Sequence, residues 1–292
     1  MSEAFDRLIQ RAEDLITRIE AVLPGPLSAP DWGASIAFRY RRRSNGHGVL
    51  EPVRHVAPLM LTELKEIDAQ REKIVRNTEQ FIKGLPANNV LLTGSRGTGK
   101  SSLVKACLNE FAPQGLRLIE IDKADVVDLP DIVELVGERK EYFIVFCDDL
   151  SFEDGEAGYK ALKSILDGSV SAASANVLIY ATSNRRHLLP EYMKDNLSYS
   201  HTDDGEVHPG EVIEEKISLS ERFGLWVSFY PFSQEEYLTI VVQWLHSLGL
   251  KGEHLFESAK PEALVWALER GSRSGRVAYQ FARDFVGRHE PS

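Results

Sequence analysis

The sequence predicts an α/β protein: a parallel five-stranded sheet flanked by helices, with a C-terminal helical lid and an N-terminal helical and hairpin extension. Three observations predict it. The stretch Gly94-Ser95-Arg96-Gly97-Thr98-Gly99-Lys100-Ser101 has the form G-x-x-x-x-G-K-[ST], and it sits between an apolar run (Val90-Leu91-Leu92) and a helix-forming segment (Ser101 to Phe111). Apolar runs without polar alternation recur at helix-length intervals, which is the pattern of strands buried on both faces and joined by helical crossovers. From Ser233 onward the strand pattern stops and helical spacing takes over.

Taken in order, Glu3 to Leu23 carries Phe5, Leu8, Ile9, Ala12, Leu15, Ile16, Ile19 and Val22 at helical spacing, and Pro24-Gly25-Pro26 stops the helix. One face of that helix is therefore expected to pack on something. The segment Phe38 to Gly48 is basic and interleaved with aromatics. It reads either as a contact for nucleic acid or an acidic partner through Arg41, Arg42 and Arg43, or as a solvated hairpin whose arginines pair with local carboxylates; the acidic chain favours the second. Leu61 to Gly84 reads as a helix with Leu64, Ile67, Ile74 and Phe81 on its apolar side, broken by Pro86-Ala87-Asn88-Asn89. The strands are expected near Val90, at Leu116 to Ile121, Tyr142 to Cys147, Val177 to Ala181 and Leu225 to Tyr230. Lys194 to Ser218 is polar and turn-rich, an insertion between the fourth and fifth strands. Ser233-Gln234-Glu235-Glu236 has the form of a capping box opening a helix through Leu248, with further helices near 261–270 and 273–289. The expected organisation is an extension at 1–60, a nucleotide-binding α/β unit at 61–232 and a helical lid at 233–292.

The 292 residues, 43% apolar and 27% charged, are ordinary for a globular chain, and the net charge of −10 argues against sequence-blind nucleic-acid binding by the whole surface. Cys107 and Cys147 lie in apolar surroundings without ligand spacing and read as reduced core residues. No apolar run approaches a membrane span, and the N-terminus is too charged for a signal peptide, so a cytoplasmic location is expected.

The chemistry starts at the loop. Gly94, Ser95, Arg96, Gly97, Thr98, Gly99, Lys100, Ser101 and Ser102 would wrap phosphate oxygens with backbone N–H groups, assisted by the positive end of the following helix dipole. Lys100 would reach the outer phosphates, and the Ser101 hydroxyl would ligate a magnesium ion bridging them. Asp148 and Asp149 close an apolar strand, where one carboxylate would face the metal and the other would polarise an attacking water; a pair capping the next helix is the alternative.

At this point the chain resembles the AAA+ ATPases, the P-loop ATPases that work as ring or filament assemblies. The resemblance rests on Walker-B-like Ile144-Val145-Phe146-Cys147-Asp148-Asp149, sensor-1-like Tyr180-Ala181-Thr182-Ser183-Asn184, arginine-finger-like Ser220-Glu221-Arg222-Phe223-Gly224 and sensor-2-like Gly275-Arg276. It implies ATP as ligand with Mg2+, Asn184 orienting the attacking water or the γ-phosphate, Arg222 projecting into a neighbouring subunit's nucleotide, and Arg276 folding the lid onto the phosphates. Alternatives stay open: Arg222 as a surface arginine beside a helix end, Arg276 paired with Glu269 or Asp284, and Arg273 as the sensor instead. Asp149 departs from the Asp-Glu of many members, though replication initiators and helicase-loader-like members also carry Asp-Asp; Glu153 is the next carboxylate that could act as base. Leu85-Pro86-Ala87-Asn88-Asn89 into the loop, Asp148-Asp149-Leu150-Ser151-Phe152 and Ala181 to Pro190 also resemble a bacterial family of predicted AAA+ ATPases classed as a domain of unknown function. The implied function is an ATPase working as a homo-oligomer to remodel or load an unidentified protein client. The alternative is a nucleotide-controlled adaptor with little turnover; a simple P-loop kinase would need neither finger nor lid.

Overall fold

The structure, a computed structural model, describes residues 2–20, 27–43, 46–152, 156–167, 175–184, 188, 200–201, 207–208, 219–250 and 253–289. Helix α1 (Ser2–Glu20) precedes strands β1 (Ala37–Arg42) and β2 (Gly48–Pro52), then α2 (Asp68–Ile82), β3 (Val90–Gly94) and α3 (Lys100–Phe111). Strand β4 (Leu116–Ile121), helix α4 (Leu129–Val136), β5 (Tyr142–Cys147), α5 (Ala157–Leu166) and β6 (Val177–Ser183) follow. The short pair β7 (Ser200–His201) and β8 (Val207–His208) leads to β9 (Leu225–Phe229) and to helices α6 (Gln234–Ser247), α7 (Glu253–Glu269) and α8 (Gly275–His289).

The main sheet has seven strands in the order β2-β1-β4-β5-β6-β3-β9, not the five expected. The two added strands come from the basic segment: β1 runs parallel to β4 and pairs antiparallel with β2, so the sheet begins inside the segment expected to be an extension, residues 1–60. The reason is a period of two. Phe38 and Tyr40 are buried while Arg39 and Arg41 alternate with them on the opposite face, and Arg42 follows Tyr40 on its own face at the strand end, where both bond Asp128. Arg39 bonds Glu120 on the neighbouring strand at 2.8 Å, Arg42 pairs with Asp128, and Arg43 lies 3.8 Å from Glu51.

Strand residues feed two cores on opposite faces. Val90, Leu92, Ile144, Phe146 and Tyr180 join the core shared with α2, α3 and the three C-terminal helices, whereas Leu91, Val145, Cys147 and Ile179 join the core beneath α4 and α5. A fully buried Leu92 or Phe146 contributes roughly 1.5–3 kcal/mol each through the area removed from water. Cys107 and Cys147 are buried free thiols, and burial pushes both up to about 12.

Two helix boundaries differ from expectation. The segment expected as one helix from Leu61 is a 3-10 turn (Leu61–Glu63) followed by α2, because Glu66 takes φ 62° and breaks the run. Arg71 donates to the carbonyls of Leu61 and Leu64, satisfying acceptors that the turn leaves outside a helix. Leu64 and Ile67 consequently leave the apolar face of α2. Helix α7 begins at Glu253 and carries Pro261 inside it, rather than starting there. The capping box at Ser233 forms as expected: Ser233 Oγ accepts from Glu236 N, and Glu236 Oε2 accepts from Ser233 N.

Candidate functional site

The glycine loop connects the carboxyl end of β3 to α3, the position where parallel α/β sheets bind ligands. Gly94 has φ 123°, and a Cβ there would lie 1.9 Å from the carbonyl oxygen of Phe229 on β9, so only glycine lets the two strands approach this closely. Gly97 has φ 73°, and its Cβ would meet Ser274 at 2.9 Å. That contact is the seat of the lid: Gly275 N donates to Gly97 O at 2.8 Å, and Ser274 Oγ accepts from Val277 N in the first turn of α8.

Lys100 is buried and folds back on its own loop, donating to Gly94 O and Ser95 O at 2.7 Å each and to Asn184 Oδ1 at 3.1 Å. Burial lowers its pKa, against the pull of Asp148 and Asp149. Ser101 Oγ and Thr182 Oγ1 each donate to Asp148 Oδ1 at 2.6 Å, and Thr182 Oγ1 accepts from Asp149 N at 2.9 Å. Thr182 thus fixes both carboxylate-bearing residues, a role the sequence motif did not reveal although Thr182 lies in it. Asp149 accepts from Asn184 Nδ2, lies 4.0 Å from Arg96, and has φ 53°, a left-handed backbone that is uncommon for a residue with a side chain and gathers at functional sites.

The residues brought together line a cavity of about 830 Å3: Arg96 to Ser102 from the loop, Asp148, Asp149, Thr182 and Asn184 from the strand ends, and Arg276 from α8. Arg276 lines it and Arg273 does not. The far wall is apolar, with Leu59, Leu64 and Ile67 before α2 facing Trp244 and Leu248 of the α6 end and Tyr279 of α8. Sequence reasoning missed this wall. Its members carry no motif, and in the sequence Leu64 and Ile67 read as positions on a helix face. The donor set of Ser101 and Asp148, two hard oxygens converging at 2.6 Å, fits Mg2+. Among the described residues no group of three or more His, Cys, Asp or Glu could hold a metal ion.

Arg222 does not join the cavity. Leu225 pairs with Val90 at the start of β3 while Gly94 pairs with Phe229, so Arg222 lies at the amino end of the strands, roughly 13 Å or more from the loop at about 3.3 Å per residue. Its Nε pairs with Asp167, the residue that caps α5. Glu153 and residues 185–187, 189 and 190 lie outside the described residues, as does most of the 194–218 insertion. Among the described residues no helix is long and apolar enough to cross a membrane.

Comparison with known proteins agrees with this architecture. Residues of the chain align over 117 positions with the replication factor C large subunit of Staphylothermus marinus at 27% identity, covering 37% of this chain and 27% of that protein, so the chain spans about a quarter of that relative's length. Among solved structures, a RuvB mutant of Thermotoga maritima superposes with TM-score 0.52 at 15% identity, covering 79% of this chain and 67% of that one. The ORC1 protein of Aeropyrum pernix, in complex with DNA, gives TM-score 0.52 at 12% identity over 77% of this chain and 61% of that one. These likenesses establish the fold as that of the AAA+ ATPases. The family described as "Protein of unknown function (DUF815)" matches residues 33–289, and the chain belongs to that family.

Proposed function

We propose that the chain binds ATP in the cavity beneath α8 and hydrolyses it to ADP and phosphate, with the site completed by a neighbouring subunit, and that the cycle remodels or loads a protein partner. The observation that carries this reading is the convergence of Lys100, Ser101, Asp148, Asp149, Asn184 and Arg276 on one cavity whose other wall is apolar. That division suits a nucleotide: the apolar wall formed by Leu64, Ile67, Trp244 and Tyr279 would take the base, and the polar end the phosphates. Lys100 would hold the outer phosphates as an ammonium. Ser101 and Asp148 would hold Mg2+, which when bound supplies charge neutralisation on the phosphate oxygens. Asp149 would take a proton from the attacking water, which Asn184 would orient, as the water's oxygen bonds to the γ-phosphorus and the bond to the bridging oxygen breaks, the electron pair leaving with ADP. Arg276 would sense the phosphates from the same chain, and Arg222 would act on a neighbour's nucleotide.

A second reading, a nucleotide-controlled loader with slow turnover, is favoured by the pairing of Arg222 with Asp167 and of Asp149 with Asn184, both of which occupy groups that hydrolysis needs. A DNA contact through Arg41, Arg42 and Arg43 is a weaker part of the reading, since Asp128 already takes the Arg42 guanidinium. The deciding experiment measures ATP affinity and phosphate release side by side. Lys100→Ala is expected to weaken ATP binding by more than ten-fold, and Asp149→Asn to bind normally without turnover; wild-type turnover in Asp149→Asn would remove Asp149 as the base.

A further inference from the structure

Among the described residues, helix α1 leaves its apolar side uncovered. Phe5, Leu8 and Leu15 are 62%, 65% and 58% exposed, and Ile9 and Ile16 are exposed beside them. A surface helix normally turns such a stripe onto a core, and an unpartnered helix of this length is marginal in water. The helix lies before residue 33, outside the part of the chain that carries the family fold.

The spacing of the stripe is a heptad. With Phe5 and Ala12 at position a, Leu8 and Leu15 fall at d and Ile9 and Ile16 at e. The helical wheel then places position g along one edge of the stripe and position b along the other. Position g is basic, Arg11 and Arg18; position b is acidic, with Glu13 as its described member and the sequence repeating an acid every seven residues at Asp6, Glu13 and Glu20. One edge is therefore positive and the other negative. When two such helices face each other in parallel about a two-fold or higher rotation axis, the g edge of one meets the b edge of the next, so opposite charges oppose. In an antiparallel pair g meets g and b meets b, and like charges oppose, which destabilises that arrangement.

From this we infer that α1 is a self-association element: α1 of one copy packs parallel and in register on α1 of a second copy, apolar stripe to apolar stripe, with Arg11 and Arg18 of one opposite the acidic edge of the other. The contact needs neither nucleotide nor Arg222, so it is separable from the assembly invoked for hydrolysis. It would hold subunits together so that the interface bearing Arg222 forms at low protein concentration.

The test uses the full chain without nucleotide, followed by sedimentation equilibrium. The wild type is expected to associate at micromolar concentration, and so are Lys100→Ala and Arg222→Ala. Leu8→Glu combined with Leu15→Glu should raise the dissociation constant by at least about 100-fold, roughly ten-fold for each leucine removed from a buried seam. Arg11→Glu with Arg18→Glu should associate poorly alone, as should Asp6→Arg with Glu13→Arg and Glu20→Arg, while an equimolar mixture of the two charge-reversed chains should associate again; that recovery excludes misfolding as the cause of the loss. Because Cys107 and Cys147 are buried, a thiol introduced as Leu8→Cys reports the orientation, and it should form a disulfide-linked dimer with itself under mild oxidation. A monomeric wild type, association unchanged by the leucine substitutions, or cross-linking only when Leu8→Cys is mixed with Ile16→Cys would overturn the inference. So would a monomeric wild type that pellets with phospholipid vesicles, which would place a membrane surface on the stripe instead.

Discussion

The pairing of Arg222 with Asp167 makes a quantitative claim about turnover. If Arg222 acts on a neighbour's nucleotide, the residue that holds it within its own chain competes with that role. The two side chains are 26% and 45% exposed, so the pair is partly screened by solvent and is worth about 1 kcal/mol at most, which corresponds to about a five-fold bias toward the held arrangement. Removing the carboxylate with Asp167→Ala should therefore raise phosphate release per subunit by up to about five-fold at protein concentrations where the interface is only partly formed, and less at saturation. Arg222→Ala should lower it by about 10³ to 10⁵, the range measured for arginines supplied in trans to other P-loop enzymes. The assay is steady-state phosphate release across nanomolar to micromolar protein, with binding of a fluorescent ATP analogue as a control that both variants keep an intact loop. Mixing Arg222→Ala with Lys100→Ala should recover part of the activity, since one mixed interface joins a sound loop to a sound arginine. Equal turnover in wild type and Arg222→Ala, flat with concentration, would refute the intersubunit role and leave Asp167 as an ordinary structural partner.

Three further expectations follow from the same geometry. Gly97→Ala forces a side chain into a left-handed backbone and against Ser274 at 2.9 Å, so it should cost about 1–2 kcal/mol in urea unfolding and weaken ATP binding about ten-fold by displacing α8 from the loop. Tyr180→Phe removes a buried hydroxyl bonded to Thr78 and Asn77, and because both partners keep a second bond, to Ile74 O and Asn88 O, the loss should be about 1–2 kcal/mol with ATP affinity unchanged. Burial lowers the Lys100 pKa from 10.5, so ATP affinity should fall as pH rises through that lowered value and Lys100→Arg should not share the fall. The unfolded chain keeps the proton longer, so the stability contributed by this group rises with pH between the lowered value and 10.5, opposite in sign to the affinity.

That the loop, the strand-end carboxylates and Asn184 would meet was legible because the roles expected of them restrict residue type and place: a tight loop takes glycines, a metal would take hard oxygens, and both would follow a buried strand. Strands β3, β5 and β6 were legible because burial on both faces leaves an uninterrupted apolar run. Strand β1 was not, since Phe38-Arg39-Tyr40-Arg41-Arg42 presents the same letters whether its arginines meet a nucleic acid or, as Arg39 and Arg42 do, Glu120 and Asp128. The apolar wall at Leu64 and Ile67 depended on a left-handed Glu66, and glutamate gives no warning of that conformation. Asp167, a partner of Arg222, lies 55 residues away in sequence, beyond the reach of any local pattern.

The polar end of the cavity is arranged as a set of mutual satisfactions, and that arrangement determines how a phosphate could enter. An ammonium has three donors, and Lys100 spends all three on Gly94 O, Ser95 O and Asn184 Oδ1. Asn184 in turn gives its amide to Asp149, and Asp148 accepts from both Ser101 and Thr182. Phosphate binding at Lys100 cannot add a hydrogen bond without releasing one, so the gain lies in replacing a neutral carbonyl acceptor by a charged one, which roughly doubles the strength of the bond. Asn184 is the acceptor most easily released, because its oxygen is the longest of the three contacts, at 3.1 Å, and sits on a side chain rather than on the loop itself. When Lys100 turns away from it, Asn184 loses its fixed orientation toward Asp149. On the proposed reading, the same exchange that would admit the phosphate would also release Asp149 from Asn184, so that phosphate entry and the freeing of the proposed base would be a single step.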